Sequence, residues 1–371
     1  MKFSVQQEEF AAALAAAGRS TSQGRDNPAL AGIQIELVDG RLTISATDGN
    51  RSIKVPVHLA GSPEGEGRVL LPGKVLPGLA NSLRSGVVEF ALRPDQQDVE
   101  IKSGSSLFHV RTLNADDFPP LPSLGGDSVS LDREVLVETV DLVAGAASTA
   151  DMRPVLGAVQ VTISGDTLTM AATDSYRLAV RETKVPTPVS GDVEANVPAD
   201  SLKELVRILS GSETEQVKMS IGDREAVFDL DGTIFSTTMI DGQFPKYQQL
   251  FPESWEFDVR LDRNELLEAI KRVGGVLDRD GRLIKVTLNS GELTLAAETP
   301  ELGDASETIP AGFEGEEMTV GFDHTYFREG VDSIKGEEVM LRLISPLRPG
   351  LILPIGEEGF RYLLMPLRLA D

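Results

Sequence analysis

The chain has 371 residues, 35 of them Lys or Arg and 58 Asp or Glu, for a net charge of −23, and it contains no cysteine. Such a length accommodates two or three domains with cores of their own. The missing thiol excludes disulfides, cysteine zinc sites and thiol nucleophiles and suits a reducing cytoplasm, while acidity spread evenly would repel a phosphate backbone.

In chain order, apolar residues at helical spacing over residues 6–17 predict an opening helix. Within it, FAAALAAAG imitates the apolar core of a signal peptide, but Glu8 and Glu9 stand where such peptides carry positive charge, so the segment belongs to the fold. No run approaches the roughly 20 apolar residues of a membrane helix. Residues 33–48, IQIELVDGRLTISATD, then alternate around a glycine turn as a hairpin.

This hairpin recurs without a gap as VQVTISGDTLTMAATD at 159–174, a spacing of 126, and again as IKVTLNSGELTLAAET at 284–299, a further 125 along. The first offset also relates Pro72 to Pro198 and Phe118-Pro119 to Phe244-Pro245. Helical patterns at 133–146 and 263–277 precede the later hairpins, and second helical patterns follow near 73–83, 200–209 and 323–334. Pro77 is comfortable only in a first turn, so the 73–83 helix is expected to be short or to start late. Alternating strands close each copy, most clearly in VEIKSGSSLFHVRTL, AVFDLDGTIFSTTMI and GFRYLLMPLRL. Residues 119–128 and 252–256 read as linkers. The fold expected is α+β, with three similar domains at 1–121, 128–251 and 252–371.

Catalytic chemistry is thinly represented. His58, His109 and His324 show no metal-ligand spacing, and Gly73-Lys74-Val75 lacks both the hydroxyl and the upstream glycine of a phosphate loop. Asp48 and Asp174 recur at one repeat position, either as turn residues, which a repeat by itself predicts, or as paired carboxylates for acid/base work. One Trp and four Tyr give little support to a carbohydrate-binding or adhesion module. The chain reads as a non-enzyme with no cofactor or metal.

ATDSYRLAV at 172–180, FSTTMIDGQFPKY at 235–247, RTLNADDFPPL at 111–121, YLLMPLRL at 362–369 and the opening MKFSV together resemble the bacterial β sliding clamps, the processivity subunits of DNA polymerase III. The resemblance spans all three copies. It implies a head-to-tail homodimer whose six domains close a ring around duplex DNA, with helices inside and sheets outside. It implies as partners the polymerase III catalytic subunit, the clamp loader, and other polymerases and repair proteins bearing clamp-binding peptides, in the cytoplasm at the nucleoid, with no membrane contact.

The same resemblance places a peptide pocket between the second and third domains. From the second it takes Arg153, Leu156, Thr173, Ser175, Tyr176, Arg177, Leu178, Pro245 and Leu250. From the third it takes Leu347, Leu363, Met365, Pro366, Leu367, Arg368 and Leu369. A shallow apolar groove with a pliable Met suits Leu and Phe side chains of linear peptides, and arginines suit their polar ends. For Leu363, Leu364 and Leu367 a place in the core of a terminal strand is the competing reading, and for Arg177 a surface salt bridge. Ser175-Tyr176 departs from a Gly-His pair found in some members, which leaves peptide preference open.

By position in the family, Phe108 would meet Val276 and Leu277 across the ring seam, with ordinary core packing as the competing reading. The channel would be lined by Arg25, Lys74 and Arg84, by Lys203 and Arg207 one helical turn apart, and by Lys271, Arg272, Arg279 and Arg282. Leu202, Leu205, Val206 and Leu209 would supply the buried side of the 200–209 helix. No helix-turn-helix, zinc knuckle or basic arm is present, so contacts to DNA would be sequence-blind and to phosphate.

Overall fold

A computed structural model describes residues 1–125, 128–150, 152–185, 192–278 and 281–369. The first copy of the repeat runs β1 (Lys2–Gln6), α1 (Gln7–Gly18), β2 (Gly32–Val38), β3 (Arg41–Thr47), β4 (Arg51–Val57), β5 (Gly67–Pro72), α2 (Leu76–Ser82), β6 (Val87–Arg93), β7 (Asp98–Ser103) and β8 (Ser106–Arg111). The second follows the same order with β9 (Val129–Asp132), α3 (Arg133–Val143), β10 (Ala158–Ser164), β11 (Thr167–Thr173), β12 (Arg177–Lys184), β13 (Val193–Pro198), α4 (Ala199–Ser210), β14 (Gln216–Ile221), β15 (Glu225–Leu230) and β16 (Thr233–Thr238). The third repeats it as β17 (Phe257–Asp262), α5 (Arg263–Val273), β18 (Leu283–Asn289), β19 (Glu292–Thr299), β20 (Gly303–Pro310), β21 (Met318–Asp323), α6 (His324–Asp332), β22 (Glu338–Leu343), β23 (Gly350–Pro354) and β24 (Phe360–Leu364).

Register is repeated as well as order. Gly32 lies opposite Pro72, Ala158 opposite Pro198 and Leu283 opposite Asp323. Helix α2 is short and begins at Leu76 with Pro77 in its first turn, where a missing N–H costs nothing. Asp262 and Asp323 cap α5 and α6 by accepting backbone N–H bonds, which satisfies donors the helices leave open. On α4, Leu202, Leu205 and Leu209 are buried, but Val206 is only half-buried because it sits at the edge of the apolar face.

Strands four of one copy and eight of the next are hydrogen-bonded: β4 pairs β16 and β12 pairs β24, all antiparallel. Two eight-stranded sheets result, β5-β2-β3-β4-β16-β15-β14-β9 and β13-β10-β11-β12-β24-β23-β22-β17. Each mixes strands of two copies, and the chain accordingly divides into two compact units. One comprises Met1–Leu136 with Glu204–Met239, the other Val137–Lys203 with Ile240–Asp371. The boundary cuts the central copy, since its two sheets belong to different units.

The first unit also holds the sheet β1-β6-β7-β8, whose core includes Phe3 stacked on Phe90 at 4.6 Å and the buried Phe10 and Leu14 of α1. The second holds β20-β19-β18-β21, with Phe322 against Phe327 at 5.5 Å. The described residues of 119–128 and 252–256 form neither helix nor strand, and no helix among the described residues is long and apolar enough to cross a membrane.

Candidate functional site

The turn between β11 and β12 organises the second unit's candidate groove. Asp174 Oδ1 accepts the backbone N–H groups of Tyr176 and Arg177 at 2.9 and 3.0 Å, and Thr173 Oγ1 accepts that of Ser175 at 3.1 Å while donating to the Arg177 carbonyl at 2.6 Å. Asp48 and Thr47 make the same bonds around Gly49 in the first copy. The repeated aspartates are therefore turn caps, engaged with backbone. Gly49 has φ +97° and Ser175 has φ +83°, a left-handed conformation that favours glycine.

Arg177 leaves this turn as a partly enclosed hub, its side chain only 10% exposed. Its Nε bonds Asp174 at 3.1 Å, one Nη bonds the Glu329 carboxylate and reaches the Tyr362 hydroxyl at 3.4 Å, and the other donates to the Gly145 carbonyl at 2.8 Å. The guanidinium also lies 4.2 Å from the Tyr326 ring centroid. Burial works against its charge, yet Tyr362 and Glu329 outweigh burial and hold its pKa above that of ordinary arginine. Burial in turn pushes the Tyr362 hydroxyl well above its usual range, keeping it neutral. Arg177 is thus held in ion pairs with Asp174 and Glu329, with most of its donors engaged inside the chain.

Leu178 and Leu363 are also inside, opposite each other across β12 and β24, in a cluster with Ala171, Val180, Phe244, Tyr247 and Leu351. Leu156 and Thr173 are buried as well. Tyr176 is 60%, Leu250 37% and Leu347 75% exposed, and Arg153, Pro245 and Arg368 are open to solvent, whereas Met365, Pro366, Leu367 and Leu369 are half-buried. The tail is pinned at two points, Met365 N–H to the Tyr176 carbonyl at 2.9 Å and Leu367 N–H to that of Gly321 at 2.8 Å. Arg153 donates to Ser175 Oγ at 2.8 Å.

Sequence reasoning missed Tyr326, Glu329, Tyr362 and Gly145, the partners of Arg177. No local pattern marks them, because contacts between α6, β24 and the end of α3 are set by tertiary packing.

Every described channel candidate is exposed, but they divide electrostatically. Lys203 faces Asp200 at 3.7 Å, Arg207 bonds Glu204 at 2.8 Å, Lys271 bonds Glu268 at 2.7 Å and Arg272 bonds Glu307 at 2.6 Å. Arg25, Lys74, Arg84 and Arg282 have no ion pair among the described residues. Arg279 lies outside the described residues. Of the candidate seam residues, Phe108 on β8 and Val276 and Leu277 after α5 are all half-buried, and Leu107 beside Phe108 is 54% exposed. The β8 and β20 edges are unpaired among the described strands.

Family models for the DNA polymerase III beta subunit match the chain three times over: the N-terminal domain at residues 1–122, the central domain at 130–246 and the C-terminal domain at 248–368. Over the full length of both chains, it is 31% identical to a beta sliding clamp of Streptomyces coelicolor and 28% identical to one of Synechocystis. The crystal structure of a DNA polymerase sliding clamp from Bacillus subtilis superposes with a TM-score of 0.94 at 25% identity, and that of a DNA polymerase III beta subunit from Thermotoga maritima with 0.92 at 26%, each covering 100% of both chains. With the repeat, its register and its joined sheets agreeing over the whole length, this chain belongs to the DNA polymerase III beta subunit family, the bacterial sliding clamps.

Proposed function

We propose that the chain is a DNA sliding clamp that closes as a head-to-tail homodimer, encircles duplex DNA without reading its sequence, and tethers the replicative polymerase. One observation carries this reading. Strand four of each copy pairs strand eight of the next, β4 with β16 and β12 with β24, which leaves strand four of the last copy, β20, and strand eight of the first, β8, unpaired. A second molecule satisfies both edges by the same rule, and two such joints close the assembly. Phe108 on β8 and Val276, whose carbonyl accepts from Thr299 at the end of β19, would then meet at the seam.

Three domains at 1–121, 128–251 and 252–371 are the repeating units of this assembly, even though sheet pairing fuses them pairwise. The groove around Tyr176, Leu250, Leu347 and Met365 takes linear peptides of the polymerase, clamp loader and repair proteins: apolar side chains enter over the buried Leu178–Leu363 pair, while Arg153 and Arg368 hold polar ends. The protein acts without chemistry or cofactor of its own, in the cytoplasm, and topology supplies retention that weak phosphate contacts alone would not.

Sedimentation and DNA retention test this directly. The expected result is a dimer that, once loaded, stays on circular duplex and runs off linear duplex; a monomer at working concentration, or equal loss from both DNAs, overturns the reading. Removing the chain from Met365 onward should abolish binding of clamp-motif peptides and leave the dimer mass intact.

A further inference from the structure

Two carboxylates at one repeat position each hold an arginine of the preceding repeat. Glu204 on α4 and Glu329 on α6 stand 125 residues apart, the same offset that relates Ala199 to His324 at the starts of these helices. Glu204, with its side chain 7% exposed, takes Arg19 from the end of α1 at 2.5 Å and Arg207 from its own helix at 2.8 Å. Glu329 takes Arg177.

The arginines come from different places, and the exchange is legible in the repeat. The position 126 residues after Arg19 is Gly145, which has no side chain to offer. Arg177 instead reaches across, and its second Nη lands on the Gly145 carbonyl itself at 2.8 Å. Arg51, the counterpart of Arg177 in the first copy, bonds its own Asp48. Each junction thus ends with one arginine from the earlier repeat on one glutamate of the later repeat, by two routes. Convergence on one contact despite unlike donors marks the contact as what matters.

At the outer ends both halves are absent. The first-copy counterpart of Glu204 is Gly78 on α2, and the third-copy counterpart of Gly145, 130 residues on as α5 is from α3, is Gly275. The turn at 299–303, Thr-Pro-Glu-Leu-Gly, has no arginine where the central copy has Arg177. A Cβ added at Gly78 or Gly275 would meet no atom within 4 Å.

We propose that Glu204 and Glu329 are positioning residues that lock the joints between successive repeats, and that the glycines at the two ends leave the seam between copies as the joint that yields. The second half rests on the head-to-tail reading; the first does not. In each pair one member is enclosed, Glu204 at 7% and Arg177 at 10% exposed, and the other is not, Arg19 at 36% and Glu329 at 43%; removing a charge leaves the pair's enclosed side poorly matched, so the joint must relax.

Because the chain has no cysteine, spin labels can be placed in pairs through introduced cysteines at the exposed Ser82 and Ser210, or Thr149 and Glu337. Glu204→Gln should broaden the 82–210 distance distribution roughly twofold and spare 149–337, and Glu329→Gln should do the reverse. Should Glu204→Gln fail to fold, Arg19→Ala, which removes the more exposed partner, should give the same broadening. Unchanged widths alongside a lowered Tm would overturn the lock, leaving only a contribution to stability. For the seam, Gly78→Glu with Gly275→Arg should slow subunit exchange by about tenfold; an unchanged rate overturns that half. A monomeric chain would instead refute the ring, with the within-chain distances still testing the lock.

Discussion

Ser175 occupies a backbone position that its repeat counterpart fills with glycine, and its φ of +83° costs a side-chain-bearing residue energy that glycine does not lose. Ser175→Gly should therefore raise stability by roughly 0.5–1 kcal/mol in chemical denaturation, the exposed hydrogen bond from Arg153 being the smaller loss. Arg177 makes the opposite case. A lysine there keeps the charge but cannot serve Asp174, Glu329 and the Gly145 carbonyl together, so Arg177→Lys should lower stability by about 2–3 kcal/mol. Peptide affinity should fall with it although the peptide need not touch this residue, as anisotropy with a clamp-motif peptide would show. The sequence displayed the arginine, its turn and the caps at Asp48 and Asp174, because these are local and recur. It did not display that Arg177 is enclosed, since Glu329 and Tyr362 lie 152 and 185 residues away.

Among the elements, hairpins and helices were legible from alternation and from apolar spacing, down to the late start imposed on α2 by Pro77. The pairings β4 to β16 and β12 to β24 were not, because strand composition says which face is apolar but not which distant edge lies alongside. Nor was the seat of His324 legible. At the start of α6 its ring lies over Gly274, where any Cβ would collide with it, and donates to the Ile270 carbonyl at 3.3 Å if Nε2 carries the proton. Burial lowers its pKa, with Arg328 adding to the effect and the Ile270 carbonyl and Asp323 opposing it. Lowered in the folded state, this group contributes stability that is complete above the unfolded value, about pH 6.5, and is lost as pH falls through the folded one. Wild-type Tm should drop below about pH 6.5 more steeply than that of His324→Gln; parallel profiles would remove His324 as the cause.

At the level of the whole molecule, a net charge of −23 and the proposed contact with DNA are reconciled by where cations stand and what they already hold. Lys203, Arg207, Lys271 and Arg272 attract notice in sequence as helical pairs, yet each faces an acid of its own chain. Among the described residues, Arg25, Lys74, Arg84 and Arg282 have their charge uncompensated. Neutralising these four should weaken retention on circular DNA more than neutralising the paired four, and should reduce the log–log salt slope by up to about 0.9 for each phosphate no longer neutralised. Equal effects would show that the intramolecular pairs open freely.

The pairing of β4 with β16 also sets a problem for the ribosome. Val57 ends β4 and Thr233 begins the strand that will cover it, so at ordinary elongation rates of about 5–20 residues per second the nascent chain bears a bare strand for roughly 10–35 s. That strand, RSIKVPV, contains Lys54 within the stretch β16 later covers and Pro56 just beyond it, residue types that discourage a neighbouring nascent chain from docking there first. Its waiting counterpart β12, RLAVRETK, is guarded by Arg181, Glu182 and Lys184.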